Sequence, residues 1–309
     1  MSNQHKIGWI GLGRMGEPMS KRILNNKCDL SVWNRTKEKA KPLTDAGAKL
    51  VDNKADLATC DIVFTMVSTT ADLKEVLFAA DGLLSKSSKP KMVVDCSSIS
   101  QEGSGEVRAE LEKRGVAYLC APVSGNGKVA KAGKLSIVSS GPRASYEIAK
   151  PYLAMLGRGE TWVGEGELAR VWKIAHNTMF GVIIQSLCEI TVLAEKAGIP
   201  RHVFLKSIND SVLGSMYTTY KTPTMTNLTF DKVTFTPKLL LKDMDLGMSA
   251  AKIQGVPMPA AAATRESIAN LVGRGYENVD FSILLVEIAK SAGLELTPDN
   301  VEMNDGLES

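Results

Sequence analysis

The chain is short of the residues from which metal centres, disulfide frameworks and nucleic-acid surfaces are built. Only three of its 309 residues are histidine, and His5, His176 and His202 form no H-E-x-x-H or comparable cluster, so a metal site has little to be made from. Five cysteines, Cys28, Cys60, Cys96, Cys120 and Cys188, are scattered, odd in number and without a C-x-x-C pair, a usage that suits reduced thiols in a cytosolic protein. The formal charge is only +3, with no basic block or aromatic-basic ladder, which excludes a general binder of nucleic acid or membrane surfaces. Internal repeats and low-complexity segments are absent. The longest apolar-leaning run, residues 178–194, carries Gln185, Ser186 and Glu189, which a lipid-facing span tolerates poorly, so a buried helix is expected there. The polar start, Met1 to His5, runs straight into an apolar stretch with no charged-then-apolar leader, and a cytoplasmic protein is expected.

What is present is enough apolar residue, 44%, to fill sizeable cores, and at this length two domains are the natural expectation. The apolar run Ile7-Gly8-Trp9-Ile10 meets Gly11-Leu12-Gly13-Arg14-Met15-Gly16, three glycines spaced G-x-G-x-x-G. In a dinucleotide-binding turn the first glycine permits the tight turn, the second lets backbone approach a pyrophosphate, and the third lets the following helix pack on the strand. The N–H groups around Leu12, Arg14 and Met15 would then face the phosphates. The alternative is a structural strand-turn-helix with no ligand. Context favours the nucleotide: a helix-capable segment follows from Arg14 to Asn26, then a second apolar strand, Leu30-Ser31-Val32-Trp33.

After that strand stands Asn34-Arg35-Thr36, where an NAD site places an acid for the ribose 2′-OH. No acid is there. Arg35 can pair with a 2′-phosphate through its planar fork and Thr36 can donate its hydroxyl, so NADP(H) is favoured and NAD(H) remains possible. The plainer alternative is that Asn34 and Thr36 cap a helix over 37–46, and both roles can coexist. Strand and helix signals keep alternating: a buried strand over 61–67, a helix from about Ala71 and another strand over 91–96. Further strands are read at 116–120, 135–139 and 157–163. Met66, Val67 and Ser68 leave one strand, Ser97 and Ser98 leave the next, and the carboxyl edge of such a doubly wound α/β sheet is where ligands bind. Helix capping competes for Thr69 and Thr70. From Glu167 the pattern turns helical, broken at Gly198-Ile199-Pro200, Pro223, Pro237 and Gly255-Val256-Pro257-Met258-Pro259. Residues 1–164 are thus expected to form an α/β dinucleotide-binding domain and 165–309 an all-α domain, with an acidic tail after Leu296 that is solvated and frayed.

Two more stretches carry chemistry. Ala121-Pro122-Val123-Ser124-Gly125-Asn126-Gly127 leaves a strand at the same edge, where backbone N–H groups, the Ser124 hydroxyl and the Asn126 amide could hold a substrate carboxylate. An ordinary strand-to-loop turn is the alternative. Lys173 and Asn177, four apart on a helix, share a face, with Arg170 and His176 near that side and Val171, Trp172, Ile174 and Ala175 around them. A lysine partly desolvated by such neighbours is tuned toward proton transfer, although a snorkelling surface lysine is the commoner case. Met179, Phe180, Met216 and Tyr217 are candidate pocket walls for which core packing is the better expectation.

With these motifs in order, together with Gly11 to Met19, Asp95-Cys96-Ser97-Ser98-Ile99-Ser100 and Lys242-Asp243-Met244-Asp245-Leu246, the sequence resembles the β-hydroxyacid dehydrogenase family, the group of 3-hydroxyisobutyrate dehydrogenase and glyoxylate/succinic semialdehyde reductase. The resemblance runs over nearly the whole chain. It implies a Rossmann domain, a helical domain that supports a homodimer or homotetramer, and NAD(P)-linked interconversion of a small carboxylate-bearing hydroxy acid and its aldehyde or keto acid. By that resemblance Lys173 is the general acid or base, Ser124, Gly125 and Asn126 hold the carboxylate, Asn177 orients substrate or lysine, and Ser98 and Lys242 touch the cofactor near its nicotinamide. Asn126, Cys120 and Val129 stand where the family usually has glycine, an acid and glycine, and Ala169 replaces a glycine upstream of the lysine. His176-Asn177 is like 6-phosphogluconate dehydrogenase, but Phe180 replaces its acidic partner, which argues against decarboxylation of a sugar acid. An imine reductase, from a related group that typically lacks the lysine, and a non-catalytic nucleotide-binding protein are the alternatives.

Overall fold

The structure, a computed structural model, describes residues 5–307. It contains two compact units, Met1–Lys173 and Ile174–Ser309.

The first unit is built on a six-stranded parallel sheet. Its strands β1 (Ile7–Ile10), β2 (Leu30–Trp33), β3 (Lys49–Leu50), β4 (Ile62–Thr65), β5 (Met92–Asp95) and β6 (Ala117–Cys120) lie in the order β3-β2-β1-β4-β5-β6. Helices α1 (Gly16–Asn25), α2 (Lys41–Thr44), α3 (Thr70–Phe78) and α4 (Gln101–Lys113) return the chain between strands, which is what lets neighbours run parallel. Strands β1, β4 and β5 are buried throughout, as a sheet covered on both faces requires. The order reverses between β1 and β4, so the loops leaving these two strands flank a crevice at the carboxyl edge, the usual ligand position in such sheets. The helix expected over 37–46 is instead a 3-10 turn, Lys37–Ala40, followed by the four-residue α2. Pro42 sits at the start of α2, where a missing N–H is tolerated.

After β6 the chain does not extend the main sheet. Strand β7 (Val123–Ser124) runs antiparallel to β8 (Leu135–Ser139), with α5 (Gly127–Lys131) between them, and β8 pairs in parallel with β9 (Gly157–Trp162) across helix α6 (Arg143–Leu156). Pro122, which has no N–H to give, separates β6 from β7 and offers its carbonyl to the Val138 N–H at 3.2 Å, so the strands read at 135–139 and 157–163 form a separate three-stranded sheet.

Helix α7 (Leu168–Lys196) spans the division between the units. By length and composition it could cross a membrane. Within the second unit, however, Ile184, Leu187, Cys188 and Val192 are buried in the helical core, a stripe along one face. That unit adds α8 (Arg201–Asp210), α9 (Met216–Asn227), α10 (Pro237–Gln254), α11 (Pro259–Gly273) and α12 (Leu284–Ser291). Local chemistry sets their ends. Ser215 and Thr218 form a capping box at α9, Thr236 caps α10 with Pro237 in its first turn, and Gly255 stops α10 at φ +66°. Phe180 packs with Tyr217, Phe235 and Phe281, so the aromatic candidates for pocket walls are core, while Met179 is 64% exposed.

The tail is not frayed as expected. The buried Arg201 draws it in: Asp299 accepts from the Arg201 guanidinium at 2.8 Å and from the His202 N–H at 2.9 Å, Thr297 supplies a carbonyl, and Leu307 is buried. An acidic stretch with no basic residue of its own found its cation about a hundred residues upstream.

Candidate active site

The glycine turn shows where each glycine is needed. A methyl group added at Gly11, whose φ is +96°, would lie 2.2 Å from the Met66 carbonyl oxygen, and one at Gly16 would lie 1.9 Å from that of Gly11. Gly11 and Gly16 are therefore demanded by the fold itself. A methyl at Gly13 would meet nothing within 4 Å. That open space beside exposed backbone fits the pyrophosphate of a dinucleotide, which needs close approach to the chain at this position. The Trp9 indole N–H donates to the Gly11 carbonyl at 3.0 Å and steadies the turn from below.

Asn34 turns out to organise the turn rather than cap a helix. Its Oδ1 accepts from the Leu12 N–H at 2.8 Å and its Nδ2 donates to the Thr36 carbonyl at 2.7 Å, so one side chain ties the glycine turn to the exit of β2. Thr36 precedes the 3-10 turn without a side-chain capping bond, and both Arg35 and Thr36 are exposed. Arg35, exposed and next in sequence to the Asn34 tie, suits a 2′-phosphate. At the exit of β4 the Val67 N–H donates to Ser97 Oγ at 2.9 Å, which sets the 66–68 segment against the end of β5, while Ser68 is exposed and Ser98 half-buried. Thr69 accepts from the Asp72 N–H and caps α3.

The Ser124 loop belongs to the same edge. Gly125 has φ +128°, and an added methyl would lie 2.7 Å from Leu135 and Val129 side-chain carbons; one at Gly127 would lie 2.9 Å from the Arg14 carbonyl oxygen. The loop thus packs directly on the glycine turn. Asn126 Oδ1 caps α5 by accepting from the Lys128 and Val129 N–H groups at 3.0 and 3.1 Å, which fixes the orientation of the amide. Its Nδ2 is buried with no hydrogen-bond partner. A buried donor left in that state is costly unless an acceptor arrives.

Lys173 is half-buried on α7, at the last position of the first unit. In the second unit Asn177 is buried and donates through Nδ2 to Asp243 Oδ2 at 2.6 Å, and Asp243 also pairs with Lys242 at 3.0 Å. The fold therefore brings Asn177 and Lys242, 65 positions apart in sequence, onto one carboxylate.

Comparison with known proteins agrees with this fold. Residues 6–164 match the family model described as the NAD binding domain of 6-phosphogluconate dehydrogenase, and residues 166–288 match that described as NAD-binding of NADP-dependent 3-hydroxyisobutyrate dehydrogenase. A chloroplastic glyoxylate/succinic semialdehyde reductase of Arabidopsis thaliana is 30% identical over 93% of this chain and 80% of its own length. An uncharacterized oxidoreductase of Bacillus subtilis is 32% identical over 91% of this chain and 98% of its own. The chain belongs to the β-hydroxyacid dehydrogenase family. It is an NAD(P)-dependent oxidoreductase that binds NADP(H). Among solved structures, a 3-hydroxyisobutyrate dehydrogenase from Salmonella typhimurium shares the fold with a TM-score of 0.81 at 24% identity, covering 91% of this chain and 98% of that one.

Sequence reasoning missed the residues that hold this dehydrogenase's parts in place. Arg170, three residues before Lys173 on α7, is fully buried in the first unit and ion-paired with Asp95. Asp95 ends the apolar strand β5 and is itself buried, and a carboxylate in that setting requires a cation: this was the available signal. Cys120, where the family usually has an acid, is buried against Glu167, whose carboxylate accepts from its thiol at 2.9 Å and from Arg108 at 2.6 Å. Burial alone would raise the Glu167 carboxyl; hydrogen bonds from Cys120, Ser104 and Arg108 outweigh it and hold the group below its usual value.

Proposed function

We propose that the protein is an NADPH-dependent reductase of small carboxylate-bearing aldehydes or keto acids, the class named for its Arabidopsis relative, in which Lys173 is the general acid. The observation that carries this reading is Asn126 Nδ2, a buried donor without an acceptor on a loop packed against the cofactor turn. A substrate carboxylate oxygen satisfies it, with the Ser124 hydroxyl and the Gly125 backbone as further donors. The Lys173 ammonium donates a proton to the substrate carbonyl oxygen as charge develops there; in the reverse direction the neutral amine accepts it. NADPH, when bound, supplies the hydride. Asn177, Ser98 and Lys242 are assigned to substrate or cofactor positioning, and Gly13, Arg35 and Thr36 to the phosphates, with Arg35 setting a preference for NADP(H) over NAD(H). A cytoplasmic homodimer or homotetramer completes the proposal.

The test is steady-state oxidation of NADPH by purified protein with glyoxylate, succinic semialdehyde and matching aldehydes that lack a carboxylate. Turnover of the carboxylates is expected, with Lys173→Ala slower by roughly 10²–10⁴ and Asn126→Ala raising KM about tenfold for carboxylates alone. Equal turnover of uncharged aldehydes, or reduction only of ketone and amine mixtures, would overturn the assignment.

A further inference from the structure

Behind the carboxyl edge of the sheet, the first unit carries a buried polar chain. Asp95 Oδ1 accepts from Thr65 Oγ1 at 2.7 Å and from Ser97 Oγ at 2.6 Å, and Ser97 Oγ in turn accepts from the Val67 N–H. The other carboxylate oxygen accepts from Arg170, whose fork also reaches the Ser97 carbonyl, Ser104 Oγ at 3.1 Å and the Tyr118 hydroxyl at 3.1 Å. Asp95 is 0% and Arg170 1% exposed. The exit of β4, which faces the cofactor crevice, and the start of α7 therefore end on opposite oxygens of one carboxylate.

We propose that Arg170 is a positioning residue that sets the register of α7, and with it the location of Lys173, relative to the cofactor-binding edge. Lys173 follows Arg170 by less than one helical turn, so a shift or rotation of the helix start is passed to the lysine almost undiminished. Other anchors hold the residues before it: Ser140 Oγ accepts from the Ala169 N–H at 2.9 Å, and Arg108 binds Glu167. Arg170 alone of these reaches the end of β5, because only a planar fork with several fixed donors can bond a carboxylate, a carbonyl and two hydroxyls together. A lysine keeps the charge opposite Asp95 and loses the fork.

This inference rests on Lys173 acting as proton donor, and a double-mutant cycle separates the two ideas. The measurement is the single-turnover rate of NADPH oxidation by succinic semialdehyde, together with NADPH affinity, for the parent, Arg170→Lys, Lys173→Ala and the double variant. Arg170→Lys should slow the step by about 10- to 100-fold, the scale of a small misplacement of a reacting group, while leaving NADPH affinity within about threefold because the Asp95–Ser97–Val67 arm persists. On the Lys173→Ala background the same change should have no further effect, since nothing remains to be positioned. A parental rate for Arg170→Lys, equal losses on both backgrounds, or a loss confined to NADPH affinity would overturn the proposal. Lys173→Ala as fast as the parent would instead remove the reading of the lysine on which it rests. If Arg170→Lys does not fold, Tyr118→Phe decides: it deletes one contact of the fork and should slow the step a few-fold on the parent background and not at all on Lys173→Ala.

Discussion

Gly13 and Gly16 look equivalent in the G-x-G-x-x-G pattern, yet they should fail in opposite ways when each is changed to alanine. The methyl of Gly13→Ala meets nothing within 4 Å, and the backbone there is not in the left-handed region, so the folded chain accepts it. Removing glycine at a compatible position stabilises by roughly 0.4–1 kcal/mol through the unfolded chain, and at ~2–4 °C per kcal/mol for a domain of this size the melting temperature should hold or rise by a few degrees. The same methyl occupies the space through which a pyrophosphate approaches the backbone, and loss of one hydrogen bond to a charged group, about 1.5–3 kcal/mol, weakens NADPH binding by about 10- to 150-fold. In Gly16→Ala the methyl starts 1.9 Å from the Gly11 carbonyl oxygen, so α1 must move away by more than an ångström. Overpacking of that kind costs about 1–3 kcal/mol, and melting should fall by several degrees even without ligand. Thermal melting of the apo protein and a fluorescence titration with NADPH read the two effects separately. A Gly13→Ala variant that melts early but binds NADPH normally would refute the division of labour between the glycines.

Arg35→Ala should erase the preference for NADP(H), reducing NADPH affinity by about 10- to 100-fold while leaving NADH affinity within about twofold; an intact preference in paired titrations would mean that another group reads the 2′-phosphate. Asp280 is held below its ordinary value although burial alone would raise it, because the Lys221 ammonium lies 2.7 Å away and Lys221, Ser282 and Thr234 all donate to it. The stability this confers is present above the unfolded carboxyl value of about 3.9 and is lost as pH falls through the lower folded value. Asp280→Asn should therefore flatten the acid limb of a circular dichroism pH titration and lower stability near neutrality by about 3–5 kcal/mol; an unchanged acid limb would show that other carboxylates dominate. Truncation after Leu296 removes Asp299 and the Thr297 carbonyl from Arg201 and should lower stability by about 2–4 kcal/mol, and an unaltered denaturant midpoint would mean the tail only rests on the surface.

The parts of this protein that its sequence declares are those whose causes are local. Three glycines, the strand before them and the helix after them lie within twenty residues, and Gly16 answers to the Gly11 carbonyl five residues away. Cap and breaker residues likewise mark helix ends, as at Thr236-Pro237 and Gly255. What the sequence hides are pairings between distant segments. Arg170 and Asp95 are 75 positions apart and Arg201 and Asp299 98 apart, and in each pair one member looked like a surface charge until a partner buried it. Asn34 misled differently: its type fits a helix cap, and only the proximity of Leu12 across the turn reveals that the amide serves another segment.

The same contrast bears on why the Asp95–Arg170 pair exists. Well-packed apolar residues in place of a buried ion pair are often neutral or stabilising by ~1–4 kcal/mol, so stability alone gives little reason to bury a carboxylate and a guanidinium between β5 and α7. Apolar contacts, however, are non-directional and would tolerate small slides of a helix on a sheet. A fork bonded to four separate oxygens tolerates none without breaking buried hydrogen bonds. On the proposed assignment, with Lys173 on α7 as proton donor and the nicotinamide held at strand ends, the quantity worth fixing is the distance between them, and a directional buried network fixes it in a way that greasy packing cannot.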